Sequence, residues 1–462
     1  MFKPEVYIER RKRLQADVQS GLILFLGNEE SPINYPDNPY PFRQDSSFLY
    51  FFGLDSPSLA AVIDIDEGKE CIFGDDITVD EIIWMGPKPT IREKCEKVGV
   101  RQSKPLEKLV ETLKEAILNK REIHFLPQYR ADNILKIQKL LGIGLDEIQQ
   151  RVSVKLIKAI VVQRSIKSEG EIDQIEAALE IAYQMQTTAM KMTRPGIYER
   201  EVAAAMESIA KSMGGRLSFP TIFTIHGETL HNHYYGNMMN EGDLVINDSG
   251  ADNVMHYASD ITRTIPIGGR FDSRQSDIYS IVLSAQESAI RAIKPGIEFR
   301  DIHKLACETL ASGLKDLGLM KGDTKEAVQA GAHALFFQCG LGHMMGLDVH
   351  DMEALGEEYV GYTDSIKRSE QFGLRSLRLG KELKAGFTIT VEPGLYFIPE
   401  LFDCWKAENL HESFINYDRV ESYRDFGGVR LEDDVLVTEN GSRVLGKPIP
   451  KAIEEVEALT SV

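Results

Sequence analysis

Two tetrapeptides 100 residues apart, Arg194-Pro195-Gly196-Ile197 and Lys294-Pro295-Gly296-Ile297, constrain this chain more than any other feature of its sequence. The match resumes at Arg200-Glu201-Val202 and Arg300-Asp301-Ile302, so a basic residue, an isoleucine, an arginine and an acid all keep register. In each copy a helix-period pattern precedes the Pro-Gly turn, a second helix follows it, and a glycine-containing break leads to an apolar strand. Pro-Gly after a helix is a common stop signal, so coincidence competes with duplication; the shared register favours duplication. A repeated helix-helix-strand unit predicts two halves packed about a pseudo-twofold axis, their strands meeting in one curved antiparallel sheet with a cleft between the halves.

The duplication does not reach the first third of the chain. With 462 residues the chain exceeds what one hydrophobic core usually supports. Residues 1 to about 155 alternate apolar strands with amphipathic helices, with Gly21 to Gly27 and Leu59 to Asp64 as strand candidates, which predicts an α/β domain. The stretch from Val161 to Gly170 turns polar before a helix pattern at Ile172, Ile175, Leu179 and Ala182. Two domains are expected, 1–160 and 161–462.

The balance of 71 acidic against 53 basic residues, a formal charge of -18, repels phosphate backbones and argues against nucleic acid as a partner. No apolar run approaches the roughly 20 residues that span a bilayer, and the charged start from Met1 to Arg13 leads into no hydrophobic stretch. A cytoplasmic protein without a membrane partner is expected. Cys71, Cys95, Cys307, Cys339 and Cys404 are too scattered for a disulfide framework or a structural zinc site, so reduced thiols are expected.

Five residues of metal-ligand type, Asp248, Asp260, His343, Glu392 and Glu432, sit at strand ends or glycine turns. Four carboxylates and one imidazole suit a pair of divalent ions, and an oxygen-rich shell with one nitrogen favours manganese, cobalt or zinc. Leu244 to Asp248 reads as a buried strand, and Ser259 to Ile265 alternates so that Asp260, Thr262 and Thr264 share a face, together a hairpin. Taken alone, that aspartate pair is better explained by an Asx-turn and a strand cap. Phe387 to Glu392 repeats the alternation and turns Glu392 toward a pocket. Val429 to Glu432 sets Arg430 beside Glu432, which taken alone is better read as a sheet-surface ion pair.

Gly340-Leu341-Gly342-His343-Met344-Met345-Gly346 is no dinucleotide loop, because Met345 stands where glycine is required, and no lysine follows for a P-loop. The glycines instead let backbone pass close to an ion at which His343 points, with His350 ending the next strand. His411-Glu412 is no zincin motif, since Ile415 replaces the second histidine.

Six motifs in order then carry a resemblance: Asn247 to Gly250, Tyr257 to Thr264, Gly340 to His343, Val349 to Asp351, Val391 to Tyr396 and Gly428 to Asp434. Together they resemble the Xaa-Pro peptidases, aminopeptidase P and prolidase, of the pita-bread fold. Phe42 to Gly53 and Trp84-Met85-Gly86 are similar to the creatinase-type N-terminal domain of those enzymes. The resemblance implies an α/β creatinase-like N-terminal domain followed by an α+β pita-bread domain with pseudo-twofold duplicated halves. It implies that Asp248, Asp260, His343, Glu392 and Glu432 hold a dinuclear centre, usually manganese, with Asp260 and Glu432 bridging. His231, His350 and Glu392 match the catalytic set, and Arg430 and Tyr396 the substrate side. Arg378 falls where prolidase clamps a substrate carboxylate, although with Arg375 and Lys381 it could equally mark a solvated basic segment.

The implied chemistry is attack of a dimetal-bridging hydroxide on the peptide carbonyl, with His231 or His350 at the oxyanion and Glu392 carrying the proton to the proline nitrogen. Peptides with proline second are the expected substrates, and a homodimer or homotetramer the expected assembly. Cys339 departs from the pattern where a histidine is common, and Gln338 replaces a usual proline. The leading expectation is an Xaa-Pro aminopeptidase. Prolidase is the alternative, then a weakened peptide- or protein-binding relative, which Cys339 alone encourages. A methionine aminopeptidase would usually lack so long an N-terminal domain.

Overall fold

Gly196 and Gly296 adopt φ of 85° and 86°, a left-handed backbone open to glycine at little cost. Each lies between two helices, Glu169–Met192 and Glu199–Ser212 in the first copy, Ser273–Ala292 and Phe299–Asp316 in the second. The same backbone pairings hold both turns. The Gly196 N–H donates to the Met239 carbonyl and the Met239 N–H to that of Ile197, both at 2.9 Å. The Gly296 N–H donates to Leu383 at 3.0 Å and the Leu383 N–H to Ile297 at 2.8 Å. Single bridges follow at Tyr198–Met238 and Glu298–Glu382. The repeat read from two tetrapeptides is therefore a repeat of backbone geometry.

The structure, a computed structural model, describes residues 1–460 and divides into two units. One comprises Met1–Arg164 with Met352–Tyr359; the other comprises Ser165–Asp351 and the chain from Val360 onward. In the first unit, strands β1 (Leu22–Leu26), β2 (Ala60–Asp64), β3 (Lys69–Phe73), β4 (Gln102–Lys104) and β5 (Ile123–His124) form one sheet in the order β4-β3-β2-β1-β5. The neighbours β1–β2 and β2–β3 are antiparallel, while β3–β4 and β1–β5 are parallel. The apolar runs chosen from sequence supply β1 and β2, and one face of the sheet packs Leu24, Val62 and Phe73 with Leu109, Leu113 and Ile137. The Phe42 to Gly53 segment becomes the helix Ser46–Phe52, capped by Asp45, which accepts the Phe48 N–H at 2.9 Å.

In the second unit, the helix Glu169–Met192 starts at a capping box in which Ser168 donates its N–H to Glu171 at 3.0 Å, and it buries Ile175, Leu179 and Ala182. Its strands are β6 (Arg216–Leu217), β7 (Ile222–Thr224), β8 (Leu244–Ser249), β9 (Ala251–Asp252), β10 (Ile261–Pro266), β11 (Thr388–Val391), β12 (Gly394–Tyr396), β13 (Gly428–Arg430), β14 (Asp433–Val437) and β15 (Ser442–Val444). They form the ladders β10-β8-β7, β11-β14-β15, β12-β13 and β6-β9, not one continuous sheet. Among the described residues the strands of the two halves are joined by one isolated bridge, Thr262–Glu432. At that seam the buried Arg263 guanidinium donates to the carbonyls of Thr262 at 2.9 Å and Glu432 at 2.7 Å and to Asp433 Oδ1 at 2.7 Å, while the Thr262 carbonyl also accepts the Glu432 N–H at 3.0 Å. Among the described residues no helix is long and apolar enough to cross a membrane.

Candidate metal centre

Strands β8 and β10 are antiparallel with Thr262 opposite Asp248, so Asp248 and Asp260 come from one hairpin, as the alternation predicts. Glu392 directly follows β11, and Glu432 lies between β13 and β14. The chain through His343 runs beside β11: the Thr390 N–H donates to the His343 carbonyl at 3.0 Å and the Glu392 N–H to that of Leu341 at 2.8 Å. A Cβ on Gly342 would strike the Thr390 carbonyl, so only glycine lets this segment approach so closely.

Donor atoms of Asp260, His343 and Glu432 all lie within 4.8 Å of one another. His343 Nε2 is 3.4 Å from Asp260 Oδ2 and 3.7 Å from Glu392 Oε1, and its Nδ1 sits 3.0 Å from the Met344 carbonyl, which orients the ring. Asp248 joins through Arg430, whose Nη2 donates to Asp248 Oδ2 at 2.6 Å. Arg430 does not pair with Glu432, the neighbour two residues on that the strand pattern suggested; its other bonds go to Tyr396 Oη at 2.9 Å and Thr262 Oγ1 at 3.2 Å. Thr262 Oγ1 in turn donates to Glu432 Oε2 at 2.7 Å. The alternative of a sheet-surface ion pair fails because Arg430 and Glu432 are both buried.

The electrostatics of the cluster are strained. Asp248 Oδ1, Asp260 Oδ1 and Glu432 Oε1 are buried without a hydrogen-bond partner. Burial first, then neighbouring carboxylates, pushes Asp260 and Glu432 well above the usual carboxylate range. Burial also raises Glu392, against the pull of His343 and Arg430. Unpartnered buried oxygens from acids facing one another, with one imidazole, are a donor set that divalent cations satisfy and that hydrogen bonds within the chain do not. The residues present fit such ions.

A cavity of about 240 Å³ opens onto the cluster, lined by His231, Asp248, Cys339, His343, His350, Arg378, Glu392, Tyr396 and Arg430. Asp260 and Glu432 lie outside its lining. His350 does not end a strand: Leu347 to His350 form a bend, and the Asp351 N–H returns to the Met344 carbonyl at 2.9 Å. A buried pair, Lys167 Nζ to Asp351 Oδ2 at 3.0 Å, anchors that bend, and the His350 ring meets the His343 ring edge-on at 4.2 Å. Burial lowers the His231 imidazole, and the charge of Arg430 lowers it further. Arg378 faces the cavity while Lys381 is buried and Arg375 exposed, so this segment is not a solvated basic stretch. Burial pushes the Cys339 thiol up to about 12, and its sulfur lies 3.9 Å from Tyr396 Oη. It remains a neutral thiol at the cavity wall.

Sequence reasoning missed two supports. Asp434 Oδ2 accepts the Asp260 N–H at 3.0 Å, and Thr262 links Glu432 to Arg430. The acidic run Glu432-Asp433-Asp434 was the available signal for the first; shared alternation with Asp260 was the signal for the second.

Two family models match the chain: metallopeptidase family M24 over residues 173–439, and the aminopeptidase P N-terminal domain over residues 7–124. Human Xaa-Pro dipeptidase is 32% identical over 97% of this chain and 90% of its own length. A probable Xaa-Pro aminopeptidase of Fusarium vanettenii is 32% identical over 92% of this chain and 89% of its own. A glutamate-to-alanine variant of Escherichia coli aminopeptidase P, solved in complex with substrate, superposes with a TM-score of 0.82 at 29% identity, covering 99% of this chain and 98% of that one.

Proposed function

We propose, from the premise that this chain belongs to metallopeptidase family M24 and is a metal-dependent Xaa-Pro peptidase of the pita-bread fold, that it is an aminopeptidase releasing the residue before a proline in second position. The observation that carries the reading is the cluster of Asp260, His343 and Glu432 donor atoms, with Glu392 and Asp248 beside it, among buried carboxylate oxygens without partners. In this proposal those five hold two divalent ions, manganese by preference over cobalt or zinc, and the N-terminal domain ends near residue 160. When bound, the ions supply an activated water and polarise the peptide carbonyl.

The chain's own groups do the rest. His231 and His350, both at the cavity wall, donate to the developing oxyanion. Glu392, at the cavity wall 3.7 Å from His343, is the carboxylate placed to carry the proton to the leaving proline nitrogen. Arg430 fixes Asp248 and Tyr396, and so shapes the substrate side of the pocket. A prolyl nitrogen carries no N–H, so recognition must rest on such shape and on charge.

A dipeptidase reading has its own support in the Arg378 guanidinium at the cavity, positioned to meet a C-terminal carboxylate, and in the dipeptidase relatives. Incubating manganese-loaded protein with an Xaa-Pro dipeptide and an Xaa-Pro-Xaa tripeptide side by side separates them. Preference for the tripeptide supports the aminopeptidase. Preference for the dipeptide, lost in Arg378→Ala, replaces it with prolidase, and cleavage of neither leaves a binding relative.

Self-association as a dimer or tetramer is part of the proposal. The helix Val79–Met85 buries none of its residues, and Ile83, Trp84 and Met85 are 72%, 85% and 62% exposed. Light scattering should give a multiple of the chain mass that Trp84→Glu lowers. Cytoplasmic residence is proposed from the five free thiols, and cell fractionation tests it.

A further inference from the structure

We propose that His303, Cys307 and His333 form a second metal site, chemically unlike the carboxylate cluster, which takes copper(I). His303 and Cys307 stand one turn apart on the helix Phe299–Asp316, so both project from the same face. His333 arrives from the short turn Ala332–Leu335. One ligand atom from each residue falls within 4.8 Å of the others, and His303 Nε2 is 3.4 Å from Cys307 Sγ. Scattered in sequence, the cysteines appear unsuited to a metal; folding gives one of them two imidazoles.

Three further observations point to a ligand. All three side chains are buried, at 0%, 0% and 2% exposure. His303 Nδ1 is buried without a hydrogen bond, and the His333 ring nitrogens, also without one of good geometry, have only the Val328 backbone near enough to act on them. Burial holds both imidazoles neutral, His303 down at about 3 and His333 at about 4, so their lone pairs stay available. Buried imidazoles with unspent donors and acceptors are rare unless a ligand uses them.

Charge and softness select the ion. The set is two imidazoles and one thiol with no carboxylate among them, a soft shell that suits copper or zinc. Binding replaces the thiol proton: Cys307–SH and Cu⁺ give Cys307–S–Cu and H⁺, which leaves to solvent. One thiolate cancels one positive charge, so the copper(I) site is neutral. A zinc ion would leave a net positive charge in an apolar interior, where an uncompensated charge is expensive. Glu308 is half-buried on the same helix, and the Cys339 thiol is already directed at Tyr396, so neither completes a second anionic ligand. Because the cluster is closed to solvent, loading requires local opening and is slow.

The test uses the full chain in a Cys404→Ser background, which removes the exposed thiol. Metal-free protein is titrated anaerobically with copper(I) against a chromogenic copper(I) chelator, with zinc(II) as competitor, and the copper-loaded form is examined by X-ray absorption. About one equivalent should be withheld from the chelator, with one sulfur and two nitrogens as neighbours. Cys307→Ser and His333→Gln should each weaken retention by more than the roughly 10–100-fold that outer groups contribute, while manganese-dependent peptidase activity stays unchanged. No retained copper, an oxygen shell, equal retention in Cys307→Ser, or preference for zinc overturns the proposal. The absorption spectrum needs no change beyond the exposed Cys404→Ser, so a misfolded Cys307 or His333 substitution leaves the test intact, and the peptidase reading stands or falls separately.

Discussion

Asp260→Asn should reverse the sign of its effect on stability when the divalent ions are removed. Three buried oxygens of the cluster, on Asp248, Asp260 and Glu432, lack partners within the chain. Each unsatisfied buried group costs about 1–3 kcal/mol, so the three together cost roughly 3–9 kcal/mol without ions. That is comparable with the ~5–15 kcal/mol that holds an ordinary domain folded. Asp260 is raised by burial and by Asp248, so at neutral pH the metal-free protein keeps either an unrelieved charge or a proton taken up at a cost. An amide at this position removes both. At about 2 °C per kcal/mol for a unit of this size, Asp260→Asn should raise the unfolding midpoint of chelator-treated protein by about 2–6 °C at pH 7. In manganese-loaded protein it deletes a donor and should lower the midpoint while activity falls. Calorimetry on wild type and variant, stripped and reloaded, reads both signs. An equal drop in the two forms would refute the reasoning, because Asp260 would then be stabilising the fold by itself.

Thr262→Val keeps the shape but removes the bonds to Glu432 and Arg430, and should weaken manganese affinity about 10–100-fold in a chelator competition; unchanged affinity would mean that Glu432 is oriented by something else. Lys167→Met breaks a pair whose side chains are each 1% exposed and should cost about 3–5 kcal/mol, with Lys167→Met/Asp351→Leu recovering most of it in denaturant titrations. If the double variant is as unstable as the single one, the pair is not what anchors the bend. Burial, then Lys167 and Lys384, lowers the Lys381 ammonium to about 8. Its folded value lies below the unfolded value of about 10.4, so the folded state carries a penalty at pH 7 that is relieved as pH rises between the two. Lys381→Met should therefore stabilise the protein at pH 7 by up to about 3 kcal/mol and by less at pH 10. A gain that does not depend on pH would show that packing, not charge, is responsible.

What could be read in the sequence was periodic or local. Alternation placed Asp260, Thr262 and Thr264 on one face, and the paired Pro-Gly turns foretold two copies whose bridges fall at matching positions. What could not be read depends on how the copies close. The partner of Arg430 is Asp248, 182 residues away, not its strand neighbour Glu432. His350 looks like a strand end because Leu347 and Val349 are apolar, but the Lys167–Asp351 pair draws that segment into a bend. A continuous sheet was the simplest outcome of duplicated strands; instead the seam is held by Arg263, an arginine with no local mark of importance, which donates to backbone carbonyls on both sides of it. The four-residue spacing of His303 and Cys307 was visible on a helix, whereas the approach of His333 was not.

The seam at Thr262 and Glu432 has a consequence for any attempt to take the molecule apart. Asp248 and Asp260 belong to the first copy, and His343, Glu392 and Glu432 to the second, so a chain nicked in the Gly268–Gly269 turn would yield two fragments with incomplete donor sets. Their reassembly would then depend on dissolved dications, and the two copies would behave as a complementation pair switched by ion supply.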